Sequence, residues 1–222
     1  MQECRVADRG KSVASQVLPW VRKDRAILLA IDSPLGWPEA LGAALQSHRA
    51  GERVEYEADR MFRRRTDLVV KDVLGKTPLE VGADRIARTA LWTLSFLEEL
   101  RELIDEDIPL AWADWKANNL AAIEVYPAGT LRFYQRRGLA PTSGRVEQDK
   151  RSLLKNLEKR ACLHWQDASR GGAENEHALD AAMCAVTALD FLARRCIEPR
   201  NEKELRLAKK EGWIWVGAAM ER

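Results

Sequence analysis

The chain has 222 residues, 46% of them hydrophobic, and a formal net charge of +2. That is enough apolar material for one large domain, and a charge too mild either to demand or to exclude nucleic acid as a partner. No apolar stretch approaches the roughly 20 residues that span a bilayer, and Cys4, Cys162, Cys184 and Cys196 show neither CxxC nor Cys/His ligand spacing, which argues against a zinc site. The N-terminal MQECRVADRGK lacks the apolar centre of a signal peptide. Together with free thiols this points to a reducing, cytoplasmic location.

In chain order, Glu3–Ala7 can form a short strand and Ser12–Lys23 a helix that Pro19 disturbs. Ala26–Asp32 is an apolar run ended by Ser33-Pro34, the pattern of a strand covered on both faces. Pro38 opens a helix to about Ser47, and His48–Tyr56 reads as loop. Asp84–Ile104 is strongly helical, with Ile86, Ala90, Leu94, Leu97 and Leu100 at three- and four-residue steps. The segment around 108–119 reads as loop about a short strand, and Ala121–Tyr126 as a strand. Asp149–Cys162 and Glu174–Arg195 are helical, with a break at Gly171-Gly172. Asn201–Glu211 is a charged surface helix, and Trp213–Val216 a closing strand. Strands interspersed with helices make the fold class α/β.

Three acidic residues interrupt otherwise apolar segments. Asp32 ends a central strand, where open α/β sheets place ligands; Glu124 lies within a strand closed by Pro127 and Gly129; Asp180 lies on an Ala-rich helix that shares one face among His177, Asp180, Cys184 and Thr187. Three converging carboxylates would repel one another without a cation. Mg²⁺ or Mn²⁺ suits such oxygen ligands, and a carboxylate cluster holding two such ions is suited to phosphodiester hydrolysis. Basic residues cluster at Arg60–Arg65 and from Arg132 to Arg151.

The motifs IDSPLGWP, RRTD, IEVYPA and HALDAAMCAVTA, in this order, with EGWIWV near the end, resemble a bacterial and archaeal family of predicted nucleases with an RNase H-like fold. The resemblance implies a single RNase H-like domain over residues 1–222, with a helical insertion at about 39–110. It implies a mixed sheet flanked by helices and metal-dependent nuclease chemistry. Carried over residue by residue, Asp32, Glu124, Asp180 and His177 would be catalytic, with the three carboxylates as metal ligands. Arg64 and Asp67 match the R-x-x-D element, and with Arg132 they would bind the nucleic-acid backbone. About 25 residues precede the Asp32 strand, too few for three strands and a helix. On this plan the first two strands, with the aspartate they carry, are missing, and Asp8 is a weak substitute. An open sheet edge would then favour a homo-oligomer.

Each residue also has a plainer reading. Asp32 can cap the turn at Ser33-Pro34, Glu124 can pair with an arginine, Asp180 and His177 can lie at the surface, and the Arg60–Arg65 run can be a solvated face. Two competing functions follow. One is a catalytically degenerate relative that binds nucleic acid or protein; the other is a small-molecule phosphohydrolase.

Overall fold

The structure is a computed structural model and describes residues 7–21, 25–54, 56–82, 84–112, 115, 120–161 and 176–218. Its sheet has three parallel strands in the order β1-β2-β3: β1 (Ile27–Ile31), β2 (Leu120–Val125) and β3 (Ile214–Trp215). β1 pairs with β2 from Ile27 opposite Leu120 to Ile31 opposite Glu124. On its other side β2 pairs with β3 and, at Ala122, with an isolated bridge from Leu110. Among the described residues the sheet is therefore parallel rather than mixed, and the single antiparallel contact is an isolated bridge between Cys196 and Gly217. The expected Glu3–Ala7 strand and the Gly171-Gly172 break lie outside the described residues, apart from Ala7, which is not in a strand.

The helices follow from local signals. α1 (Val13–Val17) is capped by Ser12, whose side chain accepts from the Ser15 N–H, and passes at Pro19 into a single 3₁₀ turn. α2 (Glu39–Leu45) follows Pro38. α3 (Ala58–Phe62) and α4 (Arg65–Leu74) come next, then the long α5 (Asp84–Ile104). α6 (Pro127–Arg136) starts on a proline, whose missing N–H costs nothing in a first turn. α7 (Val146–Ala161), α8 (Glu176–Leu192) and α9 (Glu202–Glu211) complete the set, with Asn201 capping α9 through the Glu204 N–H. The region expected as a helical insertion holds α2 to α5 joined by loops, but α4 places Val69, Val70 and Leu74 among the buried core residues.

The strands alternate strictly between two cores. Leu120 and Ala122 pack with Ile27, Leu29 and Ile31 against Leu97, Leu100 and Ile104 of α5 and Ala14 of α1. Ala121, Ile123 and Val125 pack with Leu28 and Ala30 against Cys184 and Phe191 of α8 and Trp215 of β3. A third cluster joins the outer face of α8 (Leu179, Met183, Val186) to Leu131 and Tyr134 of α6 and Leu153 and Leu154 of α7. α8 is therefore sandwiched between sheet and helices, which explains its small residues at Ala178, Ala182 and Cys184. The alternation has a consequence for chemistry. Continued one residue past β1, it turns Asp32 to the α8 side, whereas Glu124, in step with Leu120 and Ala122, turns to the α5 side.

Candidate functional site

A cleft of about 280 Å³ opens at the carboxyl ends of β1 and β2. Asp32, Ser33, Pro34, Glu124, Val125 and Tyr126 form part of its lining, and Pro78, Leu79, Ile86 and Thr89 form its outer wall. The turn after Asp32 is fixed to α5 by the Thr93 hydroxyl, which donates to the Ser33 hydroxyl at 2.8 Å, with both residues buried.

Asp32 reaches solvent at this end of β1. The protein around it still removes enough water to push its carboxyl from the ordinary 3.8 up to about 6, and the charge of Asp180 pushes in the same direction. Glu124 pushes it up as well, while Lys150 and His177 pull it back. The structure thus brings together Asp32, Asp180 and His177, as the sequence suggested, and adds a lysine. Lys150 is 3% exposed and its ammonium binds Asp180 Oδ1. A lysine is almost never buried without a partner, and here Asp180 provides one. The sequence carried a signal for it: Lys150, Leu153, Leu154 and Leu157 share one stripe of α7, so the charge sits where an apolar residue would pack. Cys184 lies beneath this group, where burial and the charges of Asp32 and Asp180 push its thiol well up. Cys184 and Cys196 are both free and buried.

Glu124, expected as a metal ligand, lines the same cleft as Asp32 and is engaged within the protein. It is 3% exposed and engages Arg64 with both oxygens: Nη1 donates to Oε2 at 2.8 Å and Nη2 to Oε1 at 2.6 Å. The Leu35 N–H donates to Oε2 as well, at 3.0 Å. Burial pushes the Glu124 carboxyl up while Arg64 pulls it down. The pairing with an arginine, the plainer of its two readings, is the one observed.

Arg64, expected with Asp67 at the substrate backbone, is also among the residues that line the cleft, and both are engaged within the protein. Arg64 is 1% exposed and Asp67 is fully buried. Asp67 accepts the Arg64 N–H at 2.7 Å and Arg64 Nη2 at 3.0 Å, so the R-x-x-D element is a capping box at the start of α4. Burial works against the Arg64 charge, but Glu124 and Asp67 outweigh it and hold the guanidinium above its usual range. Arg132 lies half-buried on α6, away from the residues that line the cleft. Asp8 is exposed and pairs with Lys11 at 3.1 Å.

A second residue that the sequence pattern does not single out is Glu211, a carboxylate at the end of α9. Its oxygens accept the Glu39 N–H at 2.8 Å and the Arg65 N–H at 2.7 Å, tying the first turns of α2 and α4 together. Its carbonyl accepts from Arg64 Nη1 at 3.3 Å. Gly212 follows with φ +87°, and a Cβ there would stand 2.9 Å from Glu124 Oε2.

Residues 3–204 match the model of a family described as a protein of unknown function, DUF429. The chain belongs to that family. No curated protein matches the chain, and no solved structure matches it.

Among the described residues, no three His, Cys, Asp or Glu side chains come together as a metal site. Glu124 lines the cleft with Asp32, but its oxygens are engaged by Arg64 and the Leu35 N–H. What remains is a pair of carboxylates, Asp32 and Asp180, with Lys150 as their resident positive charge and His177 beside them. No described helix is long and apolar enough to cross a membrane.

Proposed function

We propose that this protein hydrolyses phosphodiester bonds of nucleic acid at the cleft at the end of β1, with Asp32 in the cleft lining, Asp180 acting on it from α8, and Mg²⁺ or Mn²⁺ as cofactor. The observation that carries the reading is the place of Asp32, lining a cleft at a ligand-binding position of an α/β sheet, where burial first and then the charge of Asp180 push its carboxyl up. A carboxylate in a cleft with a second one close enough to act on it is an arrangement that folding alone disfavours and that a cation or phosphate chemistry exploits.

The residues fit one divalent ion and not two. Asp32 and Asp180 present hard oxygen ligands, and the Lys150 ammonium already occupies a cation's place against Asp180. Glu124 is committed to Arg64 and Leu35. An ion held by Asp32 and Asp180 would polarise a phosphoryl oxygen and make water a stronger nucleophile. The chain's own groups supply the rest. Lys150, displaced from Asp180, can balance charge on a phosphate oxygen. His177, close enough to act on Asp32, can carry a proton to or from a reacting oxygen. Tyr126, whose hydroxyl burial keeps protonated, can donate to a phosphate oxygen from the wall of the cleft.

The second reading, a relative that binds nucleic acid without cutting it, is favoured by the same pairings: Arg64 pairs with Glu124 and Lys150 with Asp180. One experiment separates the two. Labelled DNA and RNA are incubated with the protein and Mg²⁺ or Mn²⁺, beside Asp32→Asn and Asp180→Asn. Cleavage that needs the cation and falls at least about 100-fold in either variant is expected. Binding without cleavage by the folded wild type establishes the second reading instead.

A further inference from the structure

The wall of the cleft continues along α5 into an exposed aromatic surface. Ile86 and Thr89 line the cleft, and Thr93 bonds to Ser33 beside Asp32. Steps of 100° along the helix put Trp92 on the flank next to Thr89, in line with Arg85 and Phe96, and Arg88 just beyond. Trp92 is 56% exposed. Its ring lies parallel to Phe96, with centroids 6.1 Å apart and 8° between planes. One face of the indole is therefore supported and the side chain held in place. Arg85, Arg88 and Thr89 beside it are exposed. Leu79, 68% exposed, stands on the same wall at the mouth of the cleft.

We propose that Trp92 is a stacking platform for a nucleobase, and that the substrate class is single-stranded nucleic acid whose backbone passes from Arg85 and Arg88 to Asp32. The proposal rests on the nucleic-acid reading above and deepens it. A large aromatic that packs on one face and stays open on the other gains little for folding. Stacking is available to any base, but only when that base is unpaired. The two arginines complement phosphates on either side of such a base. A duplex hides its base faces and would leave the platform unused, so the arrangement selects for single strands.

Binding is measured by fluorescence anisotropy with end-labelled oligonucleotides of about twelve nucleotides, single-stranded and duplex, in the presence of a chelator so that nothing is cut. The full chain is compared with Trp92→Ala, Trp92→Leu and Trp92→Phe. Single strands are expected to bind better than the duplex. Trp92→Ala and Trp92→Leu are expected to weaken single-strand binding about tenfold, and Trp92→Phe to retain most of it. Undiminished affinity in Trp92→Ala overturns the proposal. Full affinity in Trp92→Leu also overturns it, because the contact would then be apolar rather than stacked. A change in mass by light scattering in Trp92→Ala would assign the patch to a second copy of the chain and overturn it likewise. The two readings fail separately. Cleavage that ignores Trp92 removes the platform alone, whereas Trp92-dependent binding with no cleavage under any cation leaves the platform and removes the hydrolase.

Discussion

At the scale of single residues, Asp32 has a cost that stability can reveal. Its carboxyl titrates near 6 in the folded chain against an ordinary 3.8. Between those values the folded state holds a proton that the unfolded state has released, so stability falls as pH rises through this window. Above about 6 the folded protein carries an ionised Asp32 that burial and Asp180 disfavour. Asp32→Asn removes that charge. In urea denaturation with a chelator present, the variant should exceed the wild type by about 1 kcal/mol well above pH 6, a figure reduced for the solvent that reaches this side chain, and by nothing near pH 3. A variant less stable than the wild type at high pH would mean that Asp32 serves the fold. Lys150 teaches a related lesson about legibility. Asp32, Asp180 and His177 could be picked out because each occupies a telling place on a strand end or helix face. Lys150 sits among other basic residues of a polar helix, and only its step relative to Leu153, Leu154 and Leu157 marks it as buried.

At the scale of elements, the buried ion network explains how three segments distant in sequence meet at one end of the sheet. Arg64 joins the start of α4 to β2 through Glu124, to its own helix through Asp67 and to the end of α9 through the Glu211 carbonyl. Bidentate pairing with one carboxylate and a further bond to a second needs a planar fork of donors, which lysine lacks. Arg64→Lys should therefore destabilise the fold by about 3 kcal/mol, the order seen when a buried pair is broken, read from the midpoint of urea unfolding. A midpoint equal to that of the wild type would show the network to be dispensable. Gly212 passes over this network with φ +87° and ψ 166°, a region open to glycine alone, so its identity follows from the backbone and the neighbouring carboxylate. None of this could be read locally. Arg64 and Glu124 lie 60 residues apart, and an arginine run looks like a solvated face until its partner is known. α6 was missed for another reason: Pro127 was taken as the end of a strand, although it equally starts a helix.

At the scale of the whole molecule, strong hydrophobic patterns were legible and polar ones were not. β1, β2 and α5 follow from uninterrupted or periodic apolar residues and lie within a residue or two of their expected limits. α3 and α4, rich in arginine and aspartate, gave no such pattern, and their placement depends on tertiary ion pairs. The candidate site was legible in part. The apolar runs of β1 and β2 place Asp32 and Glu124 at one end of the sheet, where both line the cleft, but nothing local to β2 shows that Arg64 engages Glu124. The corrected arrangement, one carboxylate pair with a lysine between charges, makes a definite claim about cation binding. Titration of the full chain with Mn²⁺ by calorimetry tests it most directly. The account predicts one ion per chain, binding that weakens as pH falls through about 6 as Asp32 takes up its proton, and loss of that binding in both Asp32→Asn and Asp180→Asn. An absence of binding by the folded wild type, or binding indifferent to these two residues, would contradict it.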